Sequence, residues 1–262
     1  MIWVKQCFIA IMLILCLRSL GFAGESNKIC HFAMEFGQRV GSDTRYMITS
    51  PLRMDKKDIK NLLIFSGILQ GLMSADSRVR EEMADPRYDR LGKLDPLFEK
   101  GHNFFCFVIM PPLLYELISK DNKSLMLLSE SLVINAGLTA LLKEISGRPR
   151  HYSPMTGDGD WDEFKPFSGM DAFPSHHTSA AFTVATVISN QHPAILVKIL
   201  SYTIAGLVGF QRIHSNAHSS SDVFAGAVLG TLVGNTICSL DKKRESGDVQ
   251  ITFNSIKLEY KF

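Results

Sequence analysis

The chain has no block of like charge. Its 28 Lys and Arg and 26 Asp and Glu are interspersed over 262 residues and leave a net charge of +2. A basic face that grips nucleic acid is therefore missing. No zinc-finger, helix-turn-helix or ribonucleoprotein-like signature is present, so nucleic acid is not an expected partner. Cysteine is scarce: five scattered residues form neither a disulfide framework nor a metal cluster. The apolar stretches sit at or below the ~20 residues that cross a bilayer. Charged residues make up only 21% against 46% apolar, which excludes disorder and fits a globular or membrane-associated protein. A chain of this length can bury a full core as one domain with short appendages.

The first residues have the layout of a signal peptide. Lys5 is the positive start, residues 7–17 are apolar, and Gly21-Phe22-Ala23 place small residues where a signal peptidase reads. Residues 1–23 are expected to be cleaved and the protein exported; an uncleaved anchor helix is the alternative. Cleavage removes Cys7 and Cys16 and leaves Cys30, Cys106 and Cys238. Cys106 and Cys238 read as small buried apolar residues.

Residues 24–57 are mixed and polar and read as a loose N-terminal arm. Residues 58–240 read as the helical domain. A helix is expected over 58–83, stopped by Asp85-Pro86, with a loop or surface helix over 84–102. Apolar stretches follow over 104–119, 124–142, 178–188, 194–210 and 223–240, three of them interrupted by Glu116, Glu130 and Lys198. Pro111-Pro112 should kink or split the first of these. Gly226, Gly230 and Gly234 fall on one face of the last and predict close helix packing. The expected fold is all-α, an antiparallel bundle of about six helices with the site at one end. In the tail, 241–262, alternation of Val249, Ile251 and Phe253, then Ile256, Leu258, Tyr260 and Phe262, predicts one or two short strands, with a hairpin about Asn254-Ser255. Asp158, Asp160 and Asp162 alternate like the start of a calcium loop. The turn glycine of such a loop would fall at Glu163 and its closing glutamate at Gly169, so no metal is assigned.

Three segments concentrate cationic and imidazole groups: Lys143 to Arg150, Phe173 to Thr178, and Gln211 to Asp222. Each lies at a predicted helix end, so all three can meet on one rim. Together they contain what hydrolysis of a phosphate ester requires. Lys143, Arg150 and Arg212 can clamp the charged oxygens. Ser175 and the amides near His176 lie at a helix N-terminus, which attracts anions. His218 and Asp222, four apart, can form an imidazole nucleophile and the carboxylate that orients it. His177 can protonate the leaving group.

The order and spacing of these residues resemble the type 2 phosphatidic acid phosphatase family, related to bacterial class A acid phosphatases and vanadium haloperoxidases. That family's signature reads Lys-x6-Arg-Pro, Pro-Ser-Gly-His and Ser-Arg-x5-His-x3-Asp. Lys143 and Arg150 match the first part, Pro174, Ser175 and His177 the second, and Arg212, His218 and Asp222 the third. The resemblance covers about residues 100–240. There are three departures: His151 for proline, His176 for glycine and Gln211 for serine. At 176 the side chain can narrow the pocket while leaving the amide available.

The resemblance implies a phosphatase acting on phosphate monoesters or pyrophosphates, of lipids or small organic molecules, through a phosphohistidine and without metal or other cofactor. His218 would be the nucleophile, Asp222 its orienter and His177 the acid. Lys143, Arg150, Ser175, His176 (through its amide) and Arg212 would bind phosphate. It also implies a membrane as partner and a location in the periplasm or the inner membrane, with the site facing the periplasm. The alternatives are a vanadate-dependent haloperoxidase, since vanadate suits the same pocket, and an inactive phospho-lipid-binding relative.

Overall fold

Helices begin and end in this chain where turn chemistry dictates. In the computed structural model residues 26–83, 104, 108–119, 122–150, 163–247, 249–252 and 255–258 are described. The expected leader, the 84–102 connection, Cys106, His151 and the Asp158, Asp160 and Asp162 turn lie outside them. The helices are α1 Ser26–Ile48, α2 Lys56–Met83, α3 Met110–Ser119, α4 Asn122–Ser146, α5 His176–Gln191, α6 Ile195–His214 and α7 Ser220–Glu245. A 3₁₀ turn, Ser50–Arg53, joins α1 to α2. Two short antiparallel strands follow, β1 Val249–Thr252 and β2 Ser255–Leu258, with Val249 opposite Leu258 and Thr252 opposite Ser255. The architecture is all-α.

Residues 108 and 109 are π-helical and α3 starts at Met110, so the regular helix is interrupted just before Pro111-Pro112, as prolines that lack N–H donors require. The segment expected as a loose arm contains α1, a helix of 23 residues. Phe36 is buried and Val40 and Met47 pack against the core, on a stripe spaced as a helix requires. The same face holds Arg39 and Asp43, which is why it reads as polar in sequence. Arg39 bridges Glu130 of α4 at 3.0 Å and Asp241 of α7 at 2.8 Å, and Arg244 of α7 pairs with Asp43. These bonds tie α1 to the end of the bundle away from Lys143 and Asp222.

Helix α5 occupies the centre, packed against α7, α6 and α4. Its buried face is small and polar: Thr178, Ser179, Thr183 and Thr186 are wholly enclosed, with Ala180, Ala181 and Ala185 beside them. Such a face lets backbones touch. A Cβ at Gly230 would stand 2.1 Å from the Ser179 carbonyl oxygen, and one at Gly226 2.5 Å from that of Ser175. Larger apolar side chains fill the spaces around this contact, among them Leu125, Leu128, Val187, Val208, Val233 and Ile237.

Helices α4, α6 and α7 are each long and apolar enough to cross a membrane. Ile195, Leu196, Ile199, Leu200 and Leu207 on α6, and Ile59, Leu62, Leu63, Ile64 and Ile68 on α2, are exposed. Apolar surface on this scale marks a membrane-associated bundle.

Candidate active site

The chain reverses at Gly147, the first residue after α4. Its φ of +54° suits glycine, and a Cβ there would overlap the Lys165 carbonyl oxygen at 1.7 Å. The strand of chain leaving this turn is bonded to the segment that precedes α5. Gly147 O accepts from Lys165 N at 3.2 Å, Arg148 O from Ala172 N at 2.9 Å, and Phe173 O from the Ser146 hydroxyl at 2.8 Å. Lys143, Arg148 and Arg150 are thereby brought beside the N-terminus of α5.

A second backbone bond locks α5 to α7: Ser175 N donates to Asp222 O at 3.0 Å. His218 lies in the turn between α6 and α7, and its amide donates to the Arg212 carbonyl at 3.1 Å. Asn216 takes the left-handed conformation (φ +55°) within this turn, which asparagine tolerates better than most residues. All three sequence segments therefore meet at one end of the bundle.

His218 and Asp222 are both buried, with Nδ1 3.7 Å from Oδ2. That separation is longer than a hydrogen bond and is the kind that tightens when substrate arrives. The Asp222 carboxylate is fixed from its other sides. Oδ1 accepts from Arg148 Nη1 at 2.7 Å and Oδ2 from the Ser219 amide at 2.9 Å. Desolvation, followed by the charges of Lys143, Arg150 and Arg212, holds the His218 imidazole well below its ordinary value, so it is neutral at neutral pH.

His177 stacks edge-on against Phe104, ring centroids 4.7 Å apart, and His176 lies 6.4 Å from His177. Desolvation and then Arg212 push His177 well below its ordinary value too. The wholly buried Ser175 hydroxyl accepts from Thr178 at 3.1 Å. Arg212 donates Nε at 2.7 Å, and Nη2 as well, to the Gln211 side-chain oxygen. The departure from serine at 211 thus places a buried amide that fixes the Arg212 fork.

Three groups at this end are not singled out by the sequence. Arg148, the largest wholly buried side chain among the described residues, donates to Ser221 and Asp222, both at 2.7 Å, and to Asp76 at 3.1 Å. Asp76, on α2, also accepts from the Ser220 and Ser221 hydroxyls and from the Ser221 amide at 3.1 Å. Asp171 grips Arg150 with both carboxylate oxygens, at 2.7 and 2.9 Å, while its own carbonyl accepts from Lys143. Arginine bonds and the charges of Lys143 and Arg150 hold Asp171 down at about 2, against the effect of its partial burial.

A sequence profile described as the PAP2 superfamily matches residues 124–246. These residues belong to the PAP2 superfamily. All eight expected site residues fall inside the PAP2 segment, whereas Asp76 lies outside it. The chain is 38% identical over 69 residues to lipid A 1-phosphatase of Porphyromonas gingivalis, covering 26% of this chain and 16% of that protein. It is 30% identical over 159 residues to lipid phosphate phosphatase 1 of Arabidopsis thaliana, covering 50% of this chain and 47% of that one. The chain thus spans under half the length of either relative. A crystal structure of Aquifex aeolicus LpxE overlays at a TM-score of 0.48 and 24% identity, over 62% of this chain and 92% of that one. An overlay that loose carries no argument.

Proposed function

We propose that this PAP2 protein is a membrane-associated hydrolase of lipid phosphate esters or pyrophosphates that works through a phosphohistidine. The observation that carries the reading is the buried His218–Asp222 pair, its carboxylate fixed by Arg148 and its imidazole surrounded by Lys143, Arg150 and Arg212. The phosphatases among its relatives favour a lipid phosphate as substrate, and the exposed apolar side chains of α2 and α6 support work at a bilayer.

Asp222 faces Nδ1 of His218, so Nε2 is the attacking atom. Its lone pair forms the N–P bond as the bond from phosphorus to the ester oxygen breaks. The electron pair leaves with that oxygen, which takes a proton from His177. Water then attacks phosphorus, returns its proton to His177 and releases phosphate and a neutral His218. In the empty site His177 lacks the proton this scheme requires. The negative charge of a bound phosphate would oppose the desolvation and the Arg212 charge that hold the proton off, and would favour the protonated form. Lys143, Arg150 and Arg212, with the amides of Ser175 and His176 at the N-terminus of α5, would hold the equatorial oxygens.

The test is phosphate release by the purified chain in detergent, with chelator present, from para-nitrophenyl phosphate, phosphatidic acid and a polyprenyl pyrophosphate. His218→Ala should abolish turnover. His177→Ala should slow poor leaving groups about 10²-fold or more and activated aryl esters far less. Equal losses on both would refute the acid role. An inert wild type that gains halide oxidation with vanadate would favour the haloperoxidase reading.

A further inference from the structure

One of the two edges of Arg150 that can fork onto a phosphate is already engaged. Nε and Nη2, the two parallel donors, both point at the Asp171 carboxylate. Lys143, the second cation of the first segment, donates to the Asp171 main-chain oxygen. One residue therefore covers two of the three cations that the proposed reaction assigns to phosphate. A carboxylate presents two oxygens to a guanidinium much as a phosphate does, with one negative charge in place of nearly two. The Asp171 side chain is 55% exposed, so it can swing away without opening the core. It is also near His218, whose charge it influences.

We infer, building on the hydrolase reading, that Asp171 is an internal competitor for the phosphate subsite: it occupies Arg150 in the empty enzyme, and each incoming phosphoryl group must displace it. Such a group weakens binding of substrate and of product phosphate alike. It selects ligands whose remaining contacts, a lipid tail above all, compensate for the displaced carboxylate. Free phosphate has no such contacts and is readily expelled after turnover.

The experiment is calorimetric titration of inorganic phosphate into the full chain in detergent, alongside kcat and KM on phosphatidic acid. Asp171→Asn keeps the shape and removes the charge. It should bind phosphate about fivefold more tightly and lower KM, while Asp171→Glu stays near wild type. In an Arg150→Ala background the same asparagine substitution should shift Kd by less than about twofold, since the contested donor is gone. An unchanged or higher Kd in Asp171→Asn overturns the inference, for it would mean that Asp171 only positions Arg150. An equal shift without Arg150 overturns it as well. If the wild type hydrolyses nothing, the hydrolase reading fails while the phosphate titration still decides the competition.

Discussion

Replacing Asp76 with alanine should destabilise the protein and slow it together, although Asp76 lies far from phosphate in the sequence. Asp76 is 2% exposed and stands 3.1 Å from Arg148 Nη2. At an effective dielectric near 20 that contact is worth about 5 kcal/mol of attraction. The cost of burying the carboxylate offsets part of it. Removal also leaves the buried Ser221 amide and two serine hydroxyls without this acceptor, at about 1 kcal/mol each. Arg148 keeps Asp222, which limits the damage, and a net loss of about 3 kcal/mol is expected. For a chain of this size that lowers Tm by about 6–12 °C, readable by thermal denaturation in detergent. Arg148 would then be held by Ser221 and Asp222 without Asp76 to balance them and could draw the Asp222 carboxylate away from His218, so kcat should fall more than KM rises. A Tm within about 1 °C of wild type, with kcat unchanged, would refute the reasoning.

Gly230→Ala should cost about 1–3 kcal/mol, because its methyl meets the Ser179 carbonyl at 2.1 Å. Gly206→Ala on α6, with nothing within 4 Å, should be neutral or stabilising by up to about 1 kcal/mol; equal Tm values for the two would contradict the close packing of α5 on α7. Acid should also act through His218. Its folded pKa is below the ordinary 6.5, so the unfolded chain binds the proton more readily and stability falls as pH drops below about 6.5. The slope is at most about 1.4 kcal/mol per pH unit for this group. It should flatten in His218→Gln, and a melting series from pH 7 to 5 with the same slope in both proteins would count against the burial of a neutral imidazole.

The helical part of the fold is legible because long apolar stretches leave few alternatives, and the boundaries shift only by turns at their ends. Helix α1 is not, because Arg39, Ser42 and Asp43 turn inward and make a packed face look like a solvated one. The eight candidate site residues stand out in the sequence because each sits in a short segment near a helix end. Arg148 sits between Lys143 and Arg150, where it reads as a spacer, and only its burial reveals the bond to Asp222. Asp76 gives no signal at all: it meets Ser220 across 144 residues of chain. Asp171 is hidden for another reason, since a single acid before Phe173-Pro174 resembles any loop residue. Gln211 reads as a lost hydroxyl but supplies an acceptor that the shorter side chain could not extend to the same atoms.

The join between α5 and α7 has a consequence for how such a protein can change. Ser175 is bonded to the main chain of Asp222, and Gly226 leaves no room between the two helices. The spacing between His177 on α5 and Asp222 on α7 is thus set by two interlocked backbones, not by the loops above them. Surrounding segments can be lengthened, shortened or recomposed without retuning that spacing. The rim is free to change in sequence while the spacing of these two side chains stays constant.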